Sequence, residues 1–141
     1  MIYVDTSVWI AMHVRESRTA EVQDWLEAQE ISTLCCSEWV KTEYASALSI
    51  RRRRNELNAA DFADAHRAFA QLCVAGPLWL DVEPPDFLTA AGHCADVDSG
   101  LRAGDALHLA VAVRTRCKAL FSLDKLMNLN ARRLGLGVVE P

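Results

Sequence analysis

Four acidic residues stand at positions from which carboxylates could act together: Asp5, Glu43, Asp105 and Asp124. If they met at one place, they would repel each other and raise their own pKa values unless a divalent cation offset the charge. Such a cation can activate a water molecule and stabilise a pentacovalent phosphate. An acid cluster of this kind, without a nucleophilic Ser or Cys, therefore favours hydrolysis of phosphodiester bonds.

Asp5 and Asp124 each follow a short apolar run, at residues 2–4 and 119–123, and such runs predict buried strands. In open parallel sheets the ligand crevice lies outside the carboxyl ends of the strands, so we expect both acids at one edge. Taken singly, either Asp is more typical of a turn or a helix N-cap. Two such positions together favour a site.

Glu43 lies within an apolar stripe of the helix predicted over residues 38–54. At 100° per residue its neighbours on that helix are Trp39, Val40, Ala47 and Ile50. A carboxylate buried there needs a basic partner or a metal ion, because an unpaired buried charge is strongly unfavourable. A structural ion pair remains the alternative. Glu38, about 140° round the same helix, is expected near Lys41 and the first turn.

Asp105 opens a segment that is apolar on nearly every face, which predicts a buried central helix over residues 102–117. Gly104 could permit a close backbone approach there, although helix-dipole complementarity explains a first-turn acid equally well. His108, one turn later, is interpreted as a hydrogen-bonded packing residue rather than a ligand. Because no His or Cys spacing suits a zinc site, we expect oxygen-ligated Mg²⁺ or Mn²⁺.

The composition indicates one domain over residues 1–141, since 51% of the residues are hydrophobic and can fill a core. The net charge of −4 excludes a globally basic nucleic-acid binder, so any site for a polyanion must be local. The run of arginines at 51–54 could hold an RNA backbone. A solvated helix C-terminus is the other interpretation.

The cysteines and the N-terminus indicate a cytoplasmic location. The five cysteines are an odd number without CxxC spacing, which fits free thiols in a reducing compartment. The chain opens without a basic leader, and its apolar runs fall short of the roughly 20 residues that span a bilayer. We therefore expect neither secretion nor membrane insertion.

The whole chain reads as alternating strands and helices. Strands are predicted at 2–4, 33–36, 78–82 and 119–123, and helices at 18–29, 38–54, 58–74, from Pro84, at 102–117 and up to about Gly135. Ser37 is predicted as the N-cap of the helix that carries Glu43. Short connections between alternating elements predict a three-layer α/β/α fold with a mostly parallel sheet.

The ordered set of motifs resembles the PIN domains along the whole chain. It consists of IYVDTS at 2–7, Glu43 in a long helix, LRAGDALHLA at 101–110 and FSLD at 121–124. Within that family the chain looks most like the VapC toxins of type II toxin–antitoxin modules. The resemblance implies a metal-dependent endoribonuclease that forms homodimers and is inhibited by an antitoxin. It also implies that Asp5, Glu43, Asp105 and Asp124 bind the metal, and that Thr6 or Ser7 helps to position water.

The sequence departs from the family pattern at Leu126, where many PIN domains carry another acid, so the number of metal ions stays open. Two other enzyme and signalling classes fit less well. A haloacid-dehalogenase-type phosphatase needs a second acid where this chain has Ser7, and a receiver domain needs adjacent acids after its first strand. The remaining alternative is a PIN-like module that binds RNA or protein without catalysis, against which the retention of all four acids argues.

Overall fold

Short apolar segments at regular intervals build the central sheet of this protein. The computed structural model describes residues 1–140, which form five strands: β1 (Ile2–Val4), β2 (Leu34–Ser37), β3 (Leu78–Leu80), β4 (Ala119–Phe121) and β5 (Gly137–Val139). Their order in the sheet is β3-β2-β1-β4-β5, and every neighbouring pair is parallel. All carboxyl ends therefore lie at one edge, with β1 in the middle.

Seven α-helices connect and cover these strands within the described range. They are α1 (Thr6–His13), α2 (Thr19–Glu27), α3 (Trp39–Arg53), α4 (Ala59–Ala75), α5 (Pro84–Ala95), α6 (Ala103–Arg114) and α7 (Lys125–Arg133). Two single 3₁₀ turns, Ile31–Thr33 and Val97–Ser99, complete the connections. In residues 1–140 no helix combines the length and apolar character needed to cross a membrane.

Successive residues of each strand point to opposite faces of the sheet and pack into two separate cores, as the two-residue period of a strand requires. Val4 and Phe121 face helices α1 to α4, where the core includes Trp9 and Tyr44. The neighbouring strand residues face the other way and pack against α6 and α7. Helices thus cover both faces of a parallel sheet, and the predicted three-layer α/β/α fold is confirmed.

The predicted N-cap of α3 is wrong. Glu38 occupies the N-cap position without a side-chain capping bond, whereas Ser37 is the last residue of β2. The Ser37 hydroxyl instead faces Tyr3, whose Oη donates to Ser37 Oγ at 2.7 Å. A contact between neighbouring strands therefore overrides the local capping preference of serine.

Several predicted elements are shorter in the structure, including the strand at 78–82, which ends at Leu80, and the helix at 18–29, which spans Thr19–Glu27; two further ends have a visible cause. The strand at 119–123 ends at Phe121, since Ser122 turns its hydroxyl toward Asp5 at 2.8 Å and leaves the ladder. The helix at 102–117 ends at Arg114, and Arg116 then adopts a left-handed backbone conformation with φ of 55°. Both ends are set by contacts or turns that apolar periodicity does not encode.

Candidate active site

Asp5 leaves the central strand at the carboxyl edge of the sheet and is almost fully buried. Its backbone N–H donates to Phe121 O at 2.9 Å, which ties it to the end of β4. Its Oδ2 accepts hydrogen bonds from Ser7 Oγ at 2.6 Å and from Ser122 Oγ at 2.8 Å. Asp5 is therefore both the N-cap of α1 and a carboxylate held in a fixed orientation.

Asp124 lies at the same edge, three residues beyond the end of β4, and is exposed. Its Oδ1 caps α7 by accepting the backbone N–H groups of Leu126 at 2.7 Å and Met127 at 2.9 Å. The capping interpretation is thus confirmed for Asp124, and its role in a site stays a prediction. Leu126, where many PIN domains carry a further acid, is partly exposed on the first turn of α7.

Glu43 reaches the edge from α3, and its side chain is 29% exposed. The basic partner that its apolar surroundings demand is His108, whose Nε2 lies 2.7 Å from Glu43 Oε2. Thr6 Oγ1 donates to the same carboxylate oxygen. Burial acts to raise the pKa of Glu43, but the hydrogen bonds from His108 and Thr6 outweigh it, so the pKa is lowered.

Asp105 lies in the first turn of α6 and is half-buried. Its pKa is raised, first by burial and then by the negative charges of Asp124, Asp5 and Glu43. A carboxylate whose pKa is raised by three others records that all four share one electrostatic environment. The tertiary structure therefore gathers the four acids.

One open pocket contains every site residue selected from the sequence. Its lining includes Asp5, Thr6, Ser7, Glu43, Asp105 and Asp124, and it extends along α3 past Ser46, Ala47 and Ile50. Arg102 also lines it, and its exposed guanidinium forms no ion pair with these acids. Arg102 was not among the site residues predicted from the sequence. Its position just before Gly104 and Asp105 was the signal that could have identified it.

His108, like Arg102, was not predicted from the sequence as a site residue. It is fully buried, and both ring nitrogens have partners, as the packing interpretation predicted: Nδ1 lies 2.8 Å from Tyr3 Oη and Nε2 contacts Glu43. Burial alone would lower the pKa of His108. The hydrogen bond to Glu43 and the negative charge of Asp5 together raise it by more than burial lowers it, so the pKa is raised overall. Its spacing of one turn from Asp105 was the only signal in the sequence.

The side chains at this edge fit a divalent cation. Side-chain atoms of Asp5, Glu43 and His108 lie within 4.8 Å of one another, with His108 Nε2 directed at Glu43 Oε2, and Asp105 and Asp124 line the same pocket. Clustered carboxylate oxygens are the donors that Mg²⁺ and Mn²⁺ prefer. The roles of Asp5, Glu43, Asp105 and Asp124 as ligands, and of Thr6 and Ser7 in positioning water, remain predictions.

The arginine run lies at the C-terminal end of α3, the helix that carries Glu43. Arg51 is paired with Glu16, and Arg53 donates from Nη1 to Ser49 Oγ at 2.7 Å. Arg52 and Arg54 are exposed. Arg51 and Arg53 thus contact other side chains of the protein, whereas Arg52 and Arg54 carry exposed positive charge.

Comparisons with known proteins agree with this architecture. The family profile described as PIN domain matches residues 2–132. No curated protein matches the sequence significantly.

Among solved structures, VapC20 of Mycobacterium tuberculosis, described as a sarcin-ricin loop cleaving toxin, superposes with a TM-score of 0.78 at 19% identity and full coverage of both chains. FitAcB of Neisseria gonorrhoeae gives 0.71 at 18% identity, covering 100% of this chain and 98% of the other. A toxin–antitoxin complex of Klebsiella pneumoniae gives 0.67 at 16% identity, with the same coverage.

At these identities the structural likenesses show a common fold, and the profile match covers nearly the whole chain. On that match, this chain belongs to the PIN domain family.

Proposed function

We propose that this chain is a single PIN domain acting as a metal-dependent endoribonuclease. The observation that carries the proposal is that four carboxylates, Asp5, Glu43, Asp105 and Asp124, line one open pocket at the carboxyl edge of the sheet. Such an arrangement is unfavourable by itself, and it is retained where a cation or a reaction uses it. The family membership and the likeness to an RNA-cleaving toxin support the same reading.

In this proposal Asp5, Glu43, Asp105 and Asp124 hold Mg²⁺ or Mn²⁺. When bound, the ion would lower the pKa of a water molecule and offset charge that develops on the phosphate. Thr6 and Ser7 donate their hydroxyl hydrogens to Glu43 and Asp5, which fixes both carboxylates. A hydroxyl oxygen carries two acceptor lone pairs, so either residue can also orient a water molecule for attack.

We further propose that the chain is the toxin of a type II toxin–antitoxin pair, that it forms homodimers and that it acts in the cytoplasm. The support for an antitoxin partner is the likeness to FitAcB and to the Klebsiella pneumoniae toxin–antitoxin complex. The five cysteines are free thiols, which suits a reducing compartment.

The nuclease proposal is tested by incubating purified protein with RNA in Mg²⁺, in Mn²⁺ and in EDTA. We expect cleavage with either metal and none in EDTA. Asp5→Asn is the control, because it keeps the side-chain shape and removes the charge. Undiminished cleavage in EDTA, or by Asp5→Asn, would contradict a carboxylate-bound metal mechanism. RNA binding without cleavage under all conditions would favour the non-catalytic PIN-like module.

The toxin proposal is tested by expressing the chain without a partner. We expect growth arrest, and we expect Asp5→Asn at the same protein level to relieve it. Equal arrest by both proteins would reject the catalytic explanation of toxicity.

A further inference from the structure

Two buried tyrosine–histidine pairs of similar geometry occur in this chain. Tyr3 Oη lies 2.8 Å from His108 Nδ1, and Tyr44 Oη lies 2.9 Å from His13 Nδ1. In both pairs the rings meet edge to face, with centroids 5.7 and 5.8 Å apart. The pairs differ in what they reach: the first continues through His108 to Glu43, whereas Tyr44 Oη donates to the backbone carbonyl of Ala65.

The positions of the hydrogens on the His108 ring nitrogens follow from their partners. His108 Nε2 lies 2.7 Å from Glu43 Oε2, and an ionised carboxylate can only accept hydrogen bonds. Nε2 therefore carries a hydrogen and donates it to Glu43. The Tyr3 hydroxyl hydrogen goes to Ser37 Oγ, so Nδ1 also carries a hydrogen and donates it to Tyr3 Oη. In this arrangement Nε2 has no lone pair to offer a cation, so His108 acts on the carboxylate.

Tyr3 is itself held by the sheet. It lies on the central strand β1, is fully buried, and its Oη donates to Ser37 Oγ at 2.7 Å and accepts the Ser37 backbone N–H at 3.2 Å. These contacts join β1 to the carboxyl end of β2. The orientation of the His108 ring is thus fixed by a residue of the central strand, two residues before Asp5.

We propose that Tyr3 and His108 are positioning residues that hold the Glu43 carboxylate in the orientation needed to bind a cation. This rests on the proposed function, because it takes Glu43 as a metal ligand. His108 and Thr6 both donate to Oε2, and two donors on one oxygen restrict rotation of the whole carboxylate. Contacts of this kind outside the ligand set typically change metal affinity or activity by about 10- to 100-fold.

The test is Mn²⁺ binding to the metal-free protein, measured by titration calorimetry without RNA. We expect Tyr3→Phe to bind Mn²⁺ about 10-fold more weakly than the wild type. Tyr44→Phe is the matched control, since it removes an equivalent buried hydroxyl that touches no carboxylate, and its Mn²⁺ affinity should be unchanged. Both variants lose a buried hydrogen bond, so the melting temperature is recorded as a check on folding and not as the readout.

A second pair of variants decides the question if Tyr3→Phe does not fold. The amide N–H of glutamine can replace the Nε2 donor, so His108→Gln should retain more Mn²⁺ affinity than His108→Leu. Wild-type affinity in Tyr3→Phe, or equal losses in Tyr3→Phe and Tyr44→Phe, would overturn the proposal. His108→Gln as weak as His108→Leu would also overturn it, in favour of the imidazole as a direct ligand. A wild-type protein that binds no Mn²⁺ would instead contradict the metal site of the proposed function.

Discussion

Gly104 and Glu43 approach so closely that a side chain on the glycine would collide with the carboxylate. A Cβ at Gly104 would lie 2.6 Å from Glu43 Oε1. From the sequence, a close backbone approach at Gly104 was one of two open interpretations, and in the structure the group that approaches is a side-chain carboxylate. The glycine admits the carboxylate of another helix, beside Asp105, which it immediately precedes.

Gly104→Ala should therefore displace the Glu43 carboxylate. Because Glu43 Oε2 is already fixed by His108 and Thr6, the side chain cannot yield freely, and we expect Mn²⁺ affinity and RNA cleavage to fall by about 10-fold or more. Gly92→Ala is the matched control, since Gly92 lies in α5 and a Cβ there meets nothing within 4 Å. That control should keep activity and gain up to about 1 kcal/mol of stability. Equal activity in the two variants would contradict the importance of this contact.

Glu38 and Glu43 allow a comparison of two acids on one helix. Glu38 Oε2 pairs with Lys41 Nζ at 2.6 Å on the surface, as predicted, while Glu43 faces the pocket. We expect Glu43→Gln to lower Mn²⁺ affinity by about 100-fold or more and to abolish cleavage, whereas Glu38→Gln is nearly silent.

Melting curves of the metal-free protein separate a ligand role of Glu43 from a structural one. The glutamine oxygen can still accept the His108 Nε2–H, but the lowered pKa of Glu43 means that the folded state favours its charge, so Glu43→Gln should melt modestly below the wild type. If the residue served mainly as an ion-pair partner of buried His108, stability would fall by roughly 3 to 5 kcal/mol. Such a drop with retained cleavage would show that its role is structural.

The pH dependence of metal-free stability should follow Asp105. Its pKa is raised in the folded state by burial and by the neighbouring carboxylates, so the folded protein binds this proton more tightly than the unfolded chain. The metal-free protein therefore becomes more stable as the pH falls through the raised pKa of Asp105. Above that pKa the stabilisation by the bound proton is fully lost. Asp105→Asn removes the effect. In EDTA its melting temperature should exceed that of the wild type near pH 7, and the difference should shrink toward about pH 4. A wild-type advantage at neutral pH would contradict the assigned repulsion.

Arg54 and Arg52 provide a test of where RNA lies relative to the pocket. At 100° per residue Arg54 is about 20° from Glu43 round α3, in line with the pocket residue Ile50, whereas Arg52 is about 180° away. Both are exposed, and neither is in an ion pair within residues 1–140. Arg54 can therefore contact a phosphate that flanks the cleaved one, and Arg52 cannot.

We expect Arg54→Gln to weaken single-stranded RNA binding in EDTA and to reduce the slope of log K against log salt by about 0.7, the value for one phosphate contact. Arg52→Gln should leave the slope nearly unchanged. Equal slopes in the two variants would favour a solvated helix end over an RNA contact. Fluorescence anisotropy over a range of salt concentrations makes this measurement without cleavage.

Sequence patterns determined the elements and much of the site because those patterns are local. The apolar run before Asp5 predicts a strand, and the position of Glu43 within an apolar stripe predicts a carboxylate that needs a partner. The carboxyl ends of parallel strands share an edge, so the placement of Asp5 and Asp124 at one edge follows from the fold class. Each of these inferences uses neighbouring residues or a general property of sheets.

The tertiary structure alone decided which residues act on the acids. His108 is 65 residues from Glu43 and 105 from Tyr3, and their contacts exist because the fold brings residues of α6, α3 and β1 together at the carboxyl edge of the sheet. Ser37 has the local character of a helix cap, yet its hydroxyl faces Tyr3 of the adjacent strand. Periodicity reports which face of an element is buried, but not which distant side chain it meets. Those partners depend on strand order and on helix packing, which no short segment of the chain encodes.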